Sequence, residues 1–199
     1  NRHVRKDATK TGSAEARFKV AYDKDNLYLH VECEKPELKL NEKGFSAPGY
    51  EKYLYKFDGC LEVYIDTGAD GMSNTTKGYD ANDYRFDFSM GNPKGKTGRG
   101  LVYRLKDVDL QLAGGIDFPS KAEAAKGVKC EFIRTAKGFA YEITFPQRYI
   151  EPFALKKGNI AGFGLYLHDK SSNRNPSLAT KPGEHCNFRP DLWPIIILK

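Results

Sequence analysis

The chain has 199 residues, with 32 Lys and Arg against 26 Asp and Glu, a formal net charge of +6, and a high aromatic load of 12 Tyr, 12 Phe and one Trp. That length buries a full core as one domain, residues 1–199, without help from metals or disulfides. The basic residues are interleaved with acidic ones rather than gathered on one block, which excludes the footprint of a nucleic-acid binder, and no apolar run reaches membrane-spanning length.

The chain opens at Asn1 with no initiator Met, and residues 1–15 read as an irregular or trimmed segment, so a processed piece of a longer secreted protein is expected. From there apolar and polar residues alternate almost to the end, the pattern of strands with one buried face. Phe18, Val20 and Tyr22 lead into a polar turn at Asp23 to Asn26, and Leu27, Leu29, Val31 and Cys33 lead out of it, which is a hairpin. Strands follow at Leu61 to Ile65, Tyr84 to Phe88, Leu101 to Leu105, Cys130 to Phe132, Phe139 to Phe145 and Phe163 to Leu167, and a last one at Ile195 to Leu198. About nine strands with long connections predict an all-β fold, an antiparallel sandwich or jelly roll. Helix is expected only at Ser120 to Lys126, an Ala/Glu/Lys stretch, and as a turn at Gln147 to Ile150. Three long connections, 36–57, 67–82 and 171–192, are where function is expected in such a fold.

Cys33, Cys60, Cys130 and Cys186 are widely spaced and form no zinc pattern; the first three lie in strand-like segments, where a buried thiol packs as a small hydrophobe. Tyr50, Tyr53, Tyr55 and Phe57 place four aromatics within eight residues of one connection. Glu62 alternates with Leu61 and Val63, and Arg85 with Tyr84 and Phe86, so both side chains point away from the apolar face of their strands. They suit either a cross-strand ion pair or a ligand contact. His168 reads as a partly buried strand residue, and Asp169 as the stabiliser of its own turn. Asp66, Asp70 and Asp83, among glycines and further Asx residues, form an oxygen-rich stretch of the kind that suits structural calcium; no other cofactor is required.

Three motifs in order, Phe18-Lys-Val-Ala-Tyr-Asp-Lys-Asp-Asn-Leu-Tyr-Leu-His-Val31, Asp58-Gly-Cys-Leu-Glu-Val-Tyr-Ile-Asp66 and Gly138-Phe-Ala-Tyr-Glu-Ile-Thr-Phe-Pro146, resemble the family 9 carbohydrate-binding modules of bacterial polysaccharide-degrading proteins. Gly162 to Asp169 and Trp193 before the last strand extend the resemblance. Tyr55 or Phe57 stands where that family carries a Trp, and Trp193 is the only indole. The resemblance implies a secreted, extracellular or periplasmic, non-catalytic module for oligo- or polysaccharide, working beside other domains of its parent chain. It implies ligand contacts at Tyr53, Tyr55, Phe57, Glu62, Arg85, Asn173, Arg174 and Trp193. On this reading the site is shallow, and Tyr55→Ala and Arg85→Ala each weaken binding with little loss of melting temperature. Two alternatives stand beside it: a jelly-roll glycoside hydrolase using Glu62 and Glu142, whose carboxyls would need to lie about 5 to 5.5 Å apart for retaining chemistry, and an interaction sandwich that binds no sugar.

Overall fold

The computed structural model describes residues 2–3, 15–35, 60–71, 82–89, 97–99, 101–105, 122–124, 127–168, 177–178 and 190–199. In chain order the strands are β1 (Arg2–His3), β2 (Glu15–Tyr22), β3 (Asn26–Glu34), β4 (Leu61–Asp66), β5 (Asp83–Ser89), β6 (Thr97–Arg99), β7 (Leu101–Leu105), β8 (Ala122–Ala124), β9 (Lys129–Arg134), β10 (Gly138–Pro146), β11 (Ile160–Leu167), β12 (Ser177–Leu178) and β13 (Ile195–Ile197). The first sheet has the order β1-β2-β3-β10-β9-β6 and the second β12-β11-β4-β5-β7-β8, with β13 also on β11. Every pairing is antiparallel.

Eight strands run five residues or more, four in each sheet, and they are the ones whose alternation is plain in the sequence. The expected ninth, at the chain's end, is only the three-residue β13, and the remaining short strands had no periodicity to announce them. Nor does the expected helix at Ser120 to Lys126 form: Ala122–Ala124 is β8, paired with Leu105 to Tyr103 of β7. A run this short is marginal as a helix, while an open sheet edge offers it backbone partners. The turn after Pro146 is a 3-10 helix over Gln147–Tyr149, as anticipated.

The polar turn of the first hairpin closes as its residues dictate. Asp23 accepts from the amides of Asp25 and Asn26 at 2.8 Å each, and its second carboxylate oxygen accepts from the Tyr28 hydroxyl at 2.6 Å. Leu27, Leu29, Val31 and Cys33 of β3 then face inward beside Phe139, Tyr141, Ile143 and Phe145 of β10. From the second sheet Leu61, Val63, Ile65, Phe86, Phe88 and Phe163 meet them. The sheets interlock through aromatic contacts, Phe86 edge-on to Phe145 at 4.9 Å and Phe18 stacked on Phe163 at 6.2 Å. Cys33, Cys60 and Cys130 are buried, as expected of small apolar side chains.

The outer faces of the two sheets differ. On the first sheet Arg17, Lys19, Lys129, Glu131 and Glu142 are exposed. On the second, every residue of β4 is buried, outward-facing ones included. A sandwich sheet that is buried on both faces is covered on the outside by something other than its partner sheet.

Candidate functional site

The outward residues of β4 are Glu62, Tyr64 and Asp66, those of β5 are Asp83, Arg85 and Asp87, and those of β11 are Gly162, Gly164 and Tyr166, because their neighbours belong to the core. Register sets Glu62 opposite both Asp87 and Tyr166, and Tyr64 opposite Arg85. His168 lies just beyond β11, its amide donating to the Cys60 carbonyl at 2.8 Å. The chain thus enters β4 and leaves β11 at one point of the sheet.

These side chains form one hydrogen-bonded cluster. Glu62 Oε1 accepts from Arg85 Nη2 at 2.8 Å and from His168 Nε2 at 2.7 Å, and Oε2 accepts from the Tyr64 hydroxyl. Arg85 turns its Nε and Nη2 edge on Asp87, at 2.7 Å to Oδ1 and 3.0 Å to Oδ2. Glu62, Arg85, Asp87 and His168 are between 3% and 7% exposed, so these charge-assisted bonds operate away from water. Burial by itself raises the Glu62 carboxyl, but Arg85, His168 and the hydrogen bonds of His168 and Tyr64 outweigh it and hold the pKa to about 2. Asp87 moves the other way: burial raises it, the adjacent Glu62 charge adds to that, and Arg85 compensates only in part. The difference follows from the donors, several on Glu62 and the one guanidinium on Asp87.

An aromatic layer adjoins the charges. Trp193 is fully buried, 5.2 Å from the Tyr64 ring, and sits on Gly164, where a β-carbon would come within 2.8 Å of the indole Cδ1. Glycine there leaves the bare strand on which the indole rests. The 3-10 turn Pro190–Leu192 delivers the indole, and the Phe163 amide, donating to the Pro194 carbonyl at 2.8 Å, fixes the chain beside β11. Tyr166 lies edge-on to His168 at 4.9 Å.

Of the expected contacts, Glu62, Arg85 and Trp193 come together in this cluster, while Tyr53, Tyr55, Phe57, Asn173 and Arg174 lie outside the described residues. Arg85 and Glu62 do form the cross-strand ion pair that was one of their two readings. The site is not shallow at these positions, and Arg85→Ala cannot leave the melting temperature untouched, because it strands two buried carboxylates. The pattern one step further along each strand held more than was read from it: Asp87 shares a face with Arg85, and Tyr64 with Glu62. His168, set aside as a strand residue, is a hydrogen-bond partner of Glu62.

Of the three residues expected to hold calcium, Asp66 is tied to its own turn. Its Oδ1 accepts from the Gly68 amide at 2.9 Å and its Oδ2 from the Gly71 amide at 2.8 Å. Burial, with the nearby Asp70 charge, pushes its carboxyl above the usual range. Asp83 is the register partner of Asp66, yet among the described residues no group of three or more His, Cys, Asp or Glu is gathered closely enough to hold a metal ion.

The hydrolase alternative fails on topology. Glu62 is on the outer face of the second sheet, and Glu142 is on the outer face of the first, bonded to His30 Nδ1 at 2.7 Å. The core lies between them, so they share no cleft, and two carboxyls separated by a pair of sheets stacked about 10 Å apart cannot flank one glycosidic bond.

Two solved structures of a family 9 carbohydrate binding module from Caldicellulosiruptor kristjanssonii, one in complex with glucose and one with cellotriose, share this fold at a TM-score of 0.59 and 20% identity. Each match covers 96% of this chain, and 80% and 78% respectively of those chains. No curated protein sequence matches the chain. Residues 1–184 match the family described as carbohydrate family 9 binding domain-like, and the chain belongs to that family.

Proposed function

We propose that this domain binds oligo- or polysaccharide without transforming it, and that the outer face of the second sheet, at the ends of β4 and β11, is the floor of its site. The observation that carries the reading is the Glu62–Arg85–Asp87–His168 cluster, held rigid beside an aromatic layer on the outside of a sandwich of this family. A pyranose offers a rim of hydroxyls and weakly polarised C–H faces, so its receptor combines fixed carboxylate and guanidinium groups with flat aromatics. The cluster supplies the first. Tyr53, Tyr55 and Phe57 before β4, and Asn173 and Arg174 after β11, are proposed to supply the walls, because both connections start where Cys60 meets His168. Trp193, with no exposed surface, acts beneath the ligand by supporting Tyr64.

Polysaccharides of this kind lie outside the cell, and the location that goes with this reading is secreted, extracellular or periplasmic, beside other domains of a parent chain. Affinity is expected in the micromolar to millimolar range, since few contacts are gained against the cost of association. Affinity electrophoresis and calorimetry against a panel of oligosaccharides, with a parallel reducing-sugar assay, test the proposal. Binding without sugar release, weakened by Tyr55→Ala, supports it; release of sugar overturns it, and so does silence across the panel. Repeating the titrations in EDTA tests the calcium expectation at Asp66, Asp70 and Asp83.

A further inference from the structure

We infer that the turn following β4, residues 66–71, is a positioning element of the sugar-binding face, with Asp66 and Gly71 setting the seat of Trp193 and, through Trp193 and Tyr64, the carboxylate of Glu62; the inference rests on the sugar-binding reading above. Register lays out the outer face of the second sheet in rows. Gly162 of β11 stands opposite Asp66 of β4, Gly164 opposite Tyr64, and Tyr166 opposite Glu62. Two glycines at successive outward positions leave a trough along β11, where a β-carbon at Gly162 would come within 2.9 Å of the Asp66 Cβ and one at Gly164 within 2.8 Å of the indole. Trp193 lies in this trough against Tyr64, whose hydroxyl donates to Glu62. With no side chain beneath it at Gly164 to hold it in place along the strand, the indole takes its position from the segment that carries it.

That segment begins on the turn. The Asp66 carboxylate accepts from the Gly68 and Gly71 amides at 2.9 and 2.8 Å, and Asp66 is only 1% exposed. Ala69 within the turn has φ +53°, a left-handed conformation that alanine rarely takes, so the turn is held by these bonds against local preference. Gly71 then abuts Pro190, where a β-carbon would lie 2.8 Å from the Pro190 carbonyl oxygen and 2.9 Å from its Cβ. The same carbonyl accepts from the Trp193 amide at 3.0 Å and closes the 3-10 turn that presents the indole. Asp66 thus reaches Glu62 by a continuous route: a hydrogen bond to Gly71, close contact with Pro190, a hydrogen bond to Trp193, ring packing at 5.2 Å on Tyr64 and a hydrogen bond to Glu62. Every residue on the route is buried, and in a close-packed interior a shift at one end is passed on to its neighbours.

Gly71→Ala drives a methyl against the Pro190 carbonyl at a position that is not left-handed, and so acts as a wedge between the turn and the segment bearing Trp193. Two readouts are taken on the full chain, the emission of its sole Trp and the Kd for cellotriose by calorimetry. Expected are a red-shifted emission and a Kd weakened at least about threefold, within the range for residues coupled through one packed network. Tyr64→Phe keeps the ring and removes the hydroxyl that reaches Glu62. In that background Gly71→Ala should still shift the emission but weaken binding less than about twofold, whereas a role confined to folding does not distinguish the two backgrounds. Asp66→Asn, which keeps the side chain's volume and removes one of the two acceptors, supplies the same pair of readouts should the alanine variant not fold. Unchanged emission, a shifted emission with unchanged Kd, or an equal loss of affinity in both backgrounds overturns the inference and leaves sugar binding standing. Failure of the parent chain to bind cellotriose overturns the inference together with the glucan reading beneath it.

Discussion

Replacing Glu62 with Gln keeps the volume of the side chain and removes the charge that Arg85 and His168 address. The carboxyl is held at about 2 against an ordinary 4.5, and at about 1.4 kcal/mol per pK unit this difference is worth about 3 kcal/mol at neutral pH. Because the folded pKa lies below the unfolded one, this stabilisation is fully present above about pH 4.5 and is lost as the pH falls toward 2. Asp87 has the opposite sign: its folded carboxyl is raised, so ionising it opposes folding and acid relieves it. Glu62→Gln should therefore be about 3 kcal/mol less stable than the parent at pH 7, a loss of the size found when one partner of a buried ion pair is removed. The gap should close as the pH is taken down through the window in which Glu62 protonates in the unfolded chain. Urea unfolding at a series of pH values between 7 and the acid limit measures it. A gap that stays constant with pH means that the loss is one of packing; no gap at pH 7 means that the Glu62 charge contributes nothing net, and either result refutes the reasoning.

Arg85→Ala leaves Glu62 and Asp87 buried without their shared cation and is expected to cost about 3 to 5 kcal/mol, seen in thermal melts as a fall of roughly 6 to 20 °C for a domain of this size. Gly164→Ala puts a methyl 2.8 Å from the indole Cδ1 of Trp193 and should destabilise by about 1 to 3 kcal/mol, with a red shift of the emission of this sole Trp as it is displaced. His30→Ala breaks a His–Glu pair of the same 2.7 Å length as His168–Glu62, but its side chains are 31% and 50% exposed, so the loss should stay within about 1 kcal/mol.

The sandwich was legible because half-buried strands write their periodicity into the chain: Leu61, Val63 and Ile65, or Phe139, Tyr141, Ile143 and Phe145, fix a face without further information. The same alternation gave the direction of Glu62 and Arg85 but not their depth. A polar residue opposite an apolar one reads as solvated, whereas here the outward residues Glu62, Tyr64, Arg85, Asp87 and Tyr166 are buried as well. What covers a face is decided by segments distant in sequence, and no window of local pattern contains that. The short strands β1, β6, β8 and β12 were missed or misread for a related reason, since two or three residues cannot display a period and are ordered by the edge they join. That Glu62 and Glu142 lie on opposite sides of the molecule likewise needed sheet order, which alternation alone does not carry.

The buried cysteines give the two sheets separate clocks. Cys33 and Cys130 belong to the first sheet and Cys60 stands at the entrance of the second, each no more than 5% exposed, so a thiol reagent reaches any of them only through an opening fluctuation. Comparing modification rates at the three positions under native conditions distinguishes a sandwich that parts as a unit, giving one common rate, from one whose second sheet loosens first and surrenders Cys60 early.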